Sequence, residues 1–296
     1  MYNEQQKEFS QKLRSLSYSR SVGGVFTDWL EIAAITLHQL PYHAGELPKD
    51  EAFETLETKY MEWIKPYSKE ELITFSELLG LTLYAHQGNY QDFLGEIAED
   101  ELLLNKRGGQ FFTPYIICQA MTKMSFGDMK EQLKGKGILT VCEPAVGGGA
   151  MVIASAEEVA SQGIDPRSCL QFDCTDVSRD AFNMAYIQLS ALGLQAVVRH
   201  GNSLSMEYWE HRATPQLRLF HQWLAPHRKT QKVVQAVRSI LAEDVQPTPT
   251  PEAEAAPSPT GTLFDLAPFT DSLPAKKKTR KQQDLTLNRQ TTLFDL

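Results

Sequence analysis

The sequence predicts an α/β protein with a helical region in front and a disordered tail behind, and three observations carry that reading. Between residues 138 and 202, apolar runs that end in turns alternate with helix-like segments. Alternation of this kind makes a parallel sheet covered by helices. The stretch ILTVCEPAVGGGAM at 138–151 carries an apolar run to an acid, then to Pro and three consecutive glycines, then into a helical pattern. Residues 1–105 show helical periodicity alone, and from residue 244 onward the composition turns to Pro, Ala, Glu and Thr.

The elements follow in order. DWLEIAAITLHQL brings Trp29, Ile32, Ala33, Leu37 and Leu40 close to helical spacing, and Pro41 is expected to end that helix. KDEAFETLETKYMEWI places Phe53, Leu56, Tyr60, Trp63 and Ile64 on one face, with Pro66 as its stop. Ser68 followed by Glu71 forms a capping-box pattern that opens a third helix. His38, His43 and His86 stand singly and are read as structural or exposed.

After Gly108 and Gly109, Thr113-Pro114 marks a helix start with Pro at the first helical position. Ile116, Ile117, Ala120, Met121 and Met124 fit the helix that follows. Ile138 to Cys142 is a strand, the glycine turn comes next, and a helix lies near 150–161. SCLQFDCTDV is the second strand, SRDAFNMAYIQLSALG a helix capped by Gly193, and QAVVRHGNSL the third strand with its turn. Residues 206–243 are mixed and are read as too helical to add strands; Val233, Val234, Val237, Ile240 and Leu241 share one helical face there. The expected domains are 1–105, helical; 106–243, α/β; and 244–296, a tail that buries too little to fold alone.

Bulk properties exclude several functions. A net charge of −8 argues against a protein that coats nucleic acid by charge, so such contact needs a local basic patch. Cys118, Cys142, Cys169 and Cys174 form no C-x-x-C pair and no zinc spacing, so no metal site is expected. Three of the four sit in apolar runs, which suits free thiols in a reducing compartment. The polar start MYNEQQKEFSQKLRSLSYSR lacks the apolar stretch of a signal peptide, and no run approaches bilayer-spanning length. The expectation is a soluble cytoplasmic protein.

A strand that ends in an acid and meets a glycine turn suits a nucleoside ligand. Glycine lets the backbone approach closely, and the next helix offers free N–H groups. Asp176, at the end of the second strand, is placed to accept from ribose hydroxyls. The dinucleotide pattern needs a glycine at 152, where Val152 stands, and there is no G-x-x-x-x-G-K-[ST].

E-P-A-V-G-G-G at 143–149 resembles the first motif of the amino-group DNA methyltransferases, and G-Q-F-F-T-P at 109–114 resembles their upstream motif. DVSRDAFNMAYIQLSALGL resembles the segment after their second strand, and HGNSL the turn after their third. The order resembles N6-adenine-specific DNA methyltransferases of the type I restriction modification-subunit kind, over roughly residues 50–205. The resemblance implies a Rossmann-like S-adenosylmethionine-dependent core and DNA as substrate. It implies that Gln110, Phe111, Phe112 and Thr113 flank the methionine end of the cofactor. Glu143, Pro144, Ala145, Gly147 and Gly149 would form the strand end and turn, Asp176 would hold the ribose, and Asn202 would accept from the adenine edge.

The fourth motif of that family, [NDS]-P-P-[YFW], supplies the acceptors for the target amino group and an aromatic that stacks on the flipped base. No Pro-Pro pair occurs in this sequence, so the core is expected to be truncated and the catalytic residues stay unidentified. Tyr208, Trp209 and Trp223 are read as cover for the sheet edge in preference to base stacking. In the tail, TLFDL occurs at 262–266 and 292–296, with KKKTRK at 276–281 between the copies. Gln290, Leu293 and Phe294 in RQTTLFDL resemble the peptide that docks bacterial proteins on the sliding clamp, although Thr291 stands where that peptide favours Leu. The sequence therefore supports three readings: an adenine-N6 DNA methyltransferase, an inactive cofactor- or DNA-binding module tethered to a replication partner, and one piece of a split enzyme completed by a partner chain.

Overall fold

The computed structural model describes residues 4–18, 20–101 and 112–222. Gln110, Phe111, Trp223, the 230–243 pattern, KKKTRK, both TLFDL copies and the clamp-type residues Gln290, Leu293 and Phe294 lie outside them.

The first part is helical, as its periodicity dictates: α1 Glu4–Ser15, α2 Val22–His43, α3 Glu51–Ile64, α4 Lys69–Ala85 and α5 Phe93–Asp100. Ser21 opens α2 by accepting the Gly24 N–H at 3.1 Å. The capping box of α4 is present: Ser68 Oγ accepts the Glu71 N–H, and the Glu71 carboxylate accepts the Ser68 N–H at 2.7 Å. Pro41 does not end α2, which runs on to His43. A proline in the last turn forfeits only one ladder bond. Its own carbonyl accepts from the Glu46 and Leu47 N–H groups at 2.9 and 3.1 Å. Leu40, expected on the apolar face, points outward.

α6 Tyr115–Phe126 begins one residue later than expected, so Pro114 is its N-cap and not its first helical residue. Its packed side carries Tyr115, Cys118 and Thr122 against the later helix α8 Ala150–Ser161. Ile116, Ile117, Met121 and Met124 lie on its exposed side, Met124 at 88%. α7 Met129–Leu133 leads into β1 Leu139–Glu143. Then follow α9 Pro166–Cys169, β2 Leu170–Asp176, α10 Arg179–Ala191, β3 Gln195–Asn202 and β4 Glu207–Ala213.

The sheet order is β1-β2-β3-β4, with β1, β2 and β3 parallel. β4 corrects the expectation that nothing after residue 206 adds a strand: it pairs antiparallel with β3. Its sequence EYWEHRA has no apolar alternation, because Arg212 is buried and Glu210 half-buried in ion pairs. A register shift between His200 and Gly201 bends β3 where β4 begins. Gly201 is required there, since a Cβ would lie 2.4 Å from the Glu207 carbonyl oxygen and 2.8 Å from Tyr208 Cα. Gly201→Ala is therefore expected to lower stability by about 2 kcal/mol through overpacking, read as a shifted urea midpoint. An unchanged midpoint would show that β4 does not press on β3 in solution.

β1 stands at one end of the sheet. Among the described residues nothing pairs with its outer edge, and Thr140 and Cys142 are exposed. The other three cysteines are buried, and all four are free.

One face of the sheet (Val141, Phe172, Cys174, Val198) packs into a cluster that includes Trp29, Phe93 and Ile97 of the helical part. A buried ionic network joins the same parts. The Glu31 carboxylate accepts from Arg179 Nε at 2.8 Å, Asn183 Nδ2 at 2.7 Å and an Arg212 guanidinium nitrogen at 2.9 Å. Arg179 and Arg212 also pair with Glu210. α2, α10 and β4 are thereby tied at one point. No helix among the described residues is long and apolar enough to cross a membrane.

Candidate functional site

The glycine turn lies at the carboxyl end of the parallel strands. The Val146 N–H donates to the Thr175 carbonyl at 2.9 Å and fastens the turn to β2. The Gly149 N–H then donates to the Val146 carbonyl at 2.9 Å and closes it. Gly149, in the left-handed region at φ 107°, is the N-cap of α8, and no side chain caps the first N–H groups of that helix.

The three glycines have separate causes. Gly147 has φ 56°, and a Cβ there would lie 3.1 Å from the Phe112 ring. Gly149 needs its left-handed φ for the turn into α8. Gly148 has no such φ; a Cβ there would sit 3.1 Å from Asp92 Oδ1 and 3.3 Å from Gly95 Cα. Sequence reasoning singled out Gly147 and Gly149 and passed over Gly148, whose neighbours come from a helix more than fifty residues upstream.

The expected site residues gather at this edge. Asp176 Oδ2 accepts the Gly147 N–H at 2.9 Å, and its Oδ1 accepts the Ser178 N–H at 2.8 Å. Each oxygen keeps a lone pair for a further donor. Glu143, at the end of β1, accepts the Ala145 N–H at 3.2 Å, and Pro144 and Ala145 are exposed beside it. Phe112 lies against Gly147, and Thr113 is exposed next to it. Asn202 ends β3, but its Oδ1 already accepts the Leu204 and Ser205 N–H groups at 2.9 and 3.2 Å. What Asn202 has left to offer is its –NH₂, a donor. The acceptor role expected from its carbonyl does not follow from this geometry.

Asp92 and Gln188 belong to the site and were not anticipated. Gln188 Nε2 donates to Asp92 Oδ1 at 2.8 Å and to the Gly148 carbonyl at 2.7 Å, while its Oε1 accepts the Leu94 N–H at 3.0 Å. Asp92 also caps α5 by accepting the Gly95 N–H at 3.1 Å. Burial pushes its carboxyl up to about 6. The only local signal was D-x-x-G, an N-cap pattern. The contact with the turn is long-range and leaves no trace in spacing.

His200 lies between the rings of Phe182 and Trp209, and burial, with Arg179 nearby, pushes its imidazole below the ordinary range. Trp209 is half-exposed on β4, and Tyr208 packs under the Arg199 guanidinium at 5.2 Å, so both belong to the edge strand itself. Among the described residues no group of three His, Cys, Asp or Glu side chains could hold a metal ion.

The arrangement suits a ligand with hydroxyls and a positive charge. Two strand-end carboxylates and one buried carboxylate line the turn, and among the described residues no Lys or Arg pairs with any of them. Unengaged helix N–H groups and a donor at Asn202 complete the polar set.

Comparison with known proteins bears on the same region. The family model of the N-6 DNA methylases matches residues 88–223, which contain the turn, Asp92, Asp176 and Asn202. No curated protein matches the chain. Among solved structures, the chain is similar to a candidate class I S-adenosylmethionine-dependent methyltransferase from Listeria monocytogenes, at 12% identity and a TM-score of 0.37. That likeness covers 75% of this chain and 69% of the other.

Proposed function

We propose, from the match of residues 88–223 to the N-6 DNA methylase family model, that the turn at 143–149 binds S-adenosylmethionine as the cofactor half of an adenine-N6 DNA methyltransferase. The observation that carries this reading is the carboxylate of Asp176 bonded to the Gly147 N–H at 2.9 Å, which joins the second strand end to the glycine turn. In this reading Asp176 accepts from the ribose hydroxyls with its remaining lone pairs. Glu143, Pro144, Ala145, Gly147 and Gly149 form the bed of the cofactor. Phe112 and Thr113, with Gln110 and Phe111 before them, flank its methionine end. Asn202 donates to a ring nitrogen of the adenine. The bound cofactor supplies an electrophilic methyl group, and these residues bind and orient it.

The sequence contains no [NDS]-P-P-[YFW] segment, so no residue is assigned to hold the target amino group. That observation favours a second reading: a module that binds S-adenosylmethionine or DNA without methyl transfer. In that reading a cytoplasmic partner, the sliding clamp, takes Gln290, Leu293 and Phe294 of the tail. A partner chain bearing the missing segment would restore the first reading.

Titration calorimetry with S-adenosylmethionine is expected to give saturable heat; its absence would sink the enzyme and the cofactor-binding module and leave only a DNA-binding module. Incubation with tritiated cofactor and adenine-containing DNA then separates them. Label carried by repurified DNA supports the enzyme, and binding without label supports the module. Removal of residues 289–296 is expected to abolish retention on immobilised clamp.

A further inference from the structure

Asp92 is 3% exposed, fully buried behind the glycine turn. Its neighbours there are Gln188, the Gly95 N–H and the turn itself. A buried carboxylate is normally neutralised by an adjacent cation. Among the described residues no Lys or Arg pairs with this one.

The position is specific. Asp92 Oδ1 lies 3.1 Å, and the Phe112 ring 3.5 Å, from where a Cβ on Gly148 would stand. Asp92 therefore shares one glycine with the aromatic assigned to the methionine end of the cofactor. Gln188 fixes the carboxylate in place, because both of its amide hydrogens and its carbonyl are engaged.

We propose that the buried carboxylate of Asp92, held against Gly148 through Gln188, makes the turn prefer a cationic cofactor over its neutral counterpart. The pair in question is S-adenosylmethionine, which bears a sulfonium, and S-adenosylhomocysteine, which bears a thioether. The inference rests on the S-adenosylmethionine reading. It adds a specificity-determining residue from the helical part of the chain, which acts through the field at the site without touching the ligand. An unpaired charge several ångström from a sulfonium changes affinity by roughly three- to thirtyfold at protein-like dielectric.

Protonation provides an internal control. Burial pushes Asp92 up to about 6, so a descent from pH 8 to 5.5 discharges most of it. The groups facing it are Glu96 and Glu99 on α5 and Tyr115 and Cys118 on α6. His86, beside Gln188, is pushed down by burial. The two cofactors share amino and carboxylate groups, so the ratio of their affinities isolates the sulfonium.

The experiment is a calorimetric titration of both cofactors into wild type and Asp92→Asn at pH 8 and 5.5. The wild-type ratio is expected to favour the sulfonium at pH 8 and to fall roughly two- to fourfold at pH 5.5, where about a quarter of Asp92 keeps its charge. In Asp92→Asn the ratio at pH 8 is expected to fall below the wild-type ratio at pH 5.5 and to stay unchanged between the two pH values, with homocysteine-form affinity within about twofold of wild type. Equal ratios at both pH values in wild type would overturn the proposal even if the variant fails to fold. So would a loss of affinity for both cofactors alike in the variant, which is the mark of a merely structural residue. Failure of wild type to bind either cofactor overturns the underlying cofactor reading instead.

Discussion

Glu31→Ala is expected to destabilise the fold by about 3–5 kcal/mol, the cost of stranding a buried partner charge. Arg212 is 2% exposed and Asn183 1%, so neither recovers water when the carboxylate is lost. Arg179 and Arg212 would then face each other across a vacated centre with Glu210 alone to balance them. Urea unfolding measures the effect, and a loss below about 1 kcal/mol would show that the network is solvated in solution. The pH dependence has a defined sign. Although burial opposes the charge, the Arg179 and Arg212 guanidiniums hold the Glu31 carboxyl at about 2 against an ordinary 4.5. Its stabilisation, about 3 kcal/mol, is present above pH 4.5 and is lost as pH falls toward 2. Asp92 has the opposite sign. Its carboxyl is raised from 3.8 to about 6, so it penalises the fold progressively as pH rises through that window. Asp92→Asn is thus expected to be neutral or stabilising at pH 8.

Asp176→Ala is expected to weaken S-adenosylmethionine binding by at least ~30-fold. Two losses combine. The ribose hydroxyls lose charge-assisted acceptors, each worth roughly 1.5–3 kcal/mol. The Gly147 and Ser178 N–H groups lose the carboxylate that fixes them at 2.9 and 2.8 Å, so the turn loosens as well. Asp176→Asn separates the two contributions, because a carboxamide keeps one accepting oxygen and no charge. Its affinity is expected to fall between wild type and the alanine variant. Calorimetric curves for Asp176→Ala that superimpose on wild type would remove Asp176 from the site.

Local signals in the sequence were reliable where one segment determines its own structure. The capping box at Ser68 and Glu71 formed as read, β2 and β3 fell within the expected runs, β1 lies one residue later than its run, and Gly193 follows α10 at φ 65°. Asp176 was legible because its strand ends two residues before a helix cap, and the structure brings it to the turn. The misses are long-range. Pro41 was read as a stop because the compensating contacts to its carbonyl are not coded in the helix itself. EYWEHRA was not read as a strand, since Arg212 is buried and Glu210 half-buried only by virtue of Glu31 and Arg179, far apart in the chain. Asp92 was not singled out, because the Gln188 that bonds it lies ninety-six positions later. Asn202 ends β3 as read, but its oxygen is engaged by two backbone N–H groups, a contact that residue type alone does not reveal.

The position of β1 bears on how long a ligand stays. In open α/β sheets the ligand crevice lies between two strands whose connections diverge, so both flanks are enclosed. Here the strand that leads into the glycine turn is itself the end of the sheet, and among the described residues only β2 stands beside it. Among the described residues the sheet itself supplies one wall of the crevice. A ligand seated there exchanges contact on its other flank with water or with whatever chain is next to it. Affinity then resides in few contacts, and residence time is expected to be short until that second flank is covered.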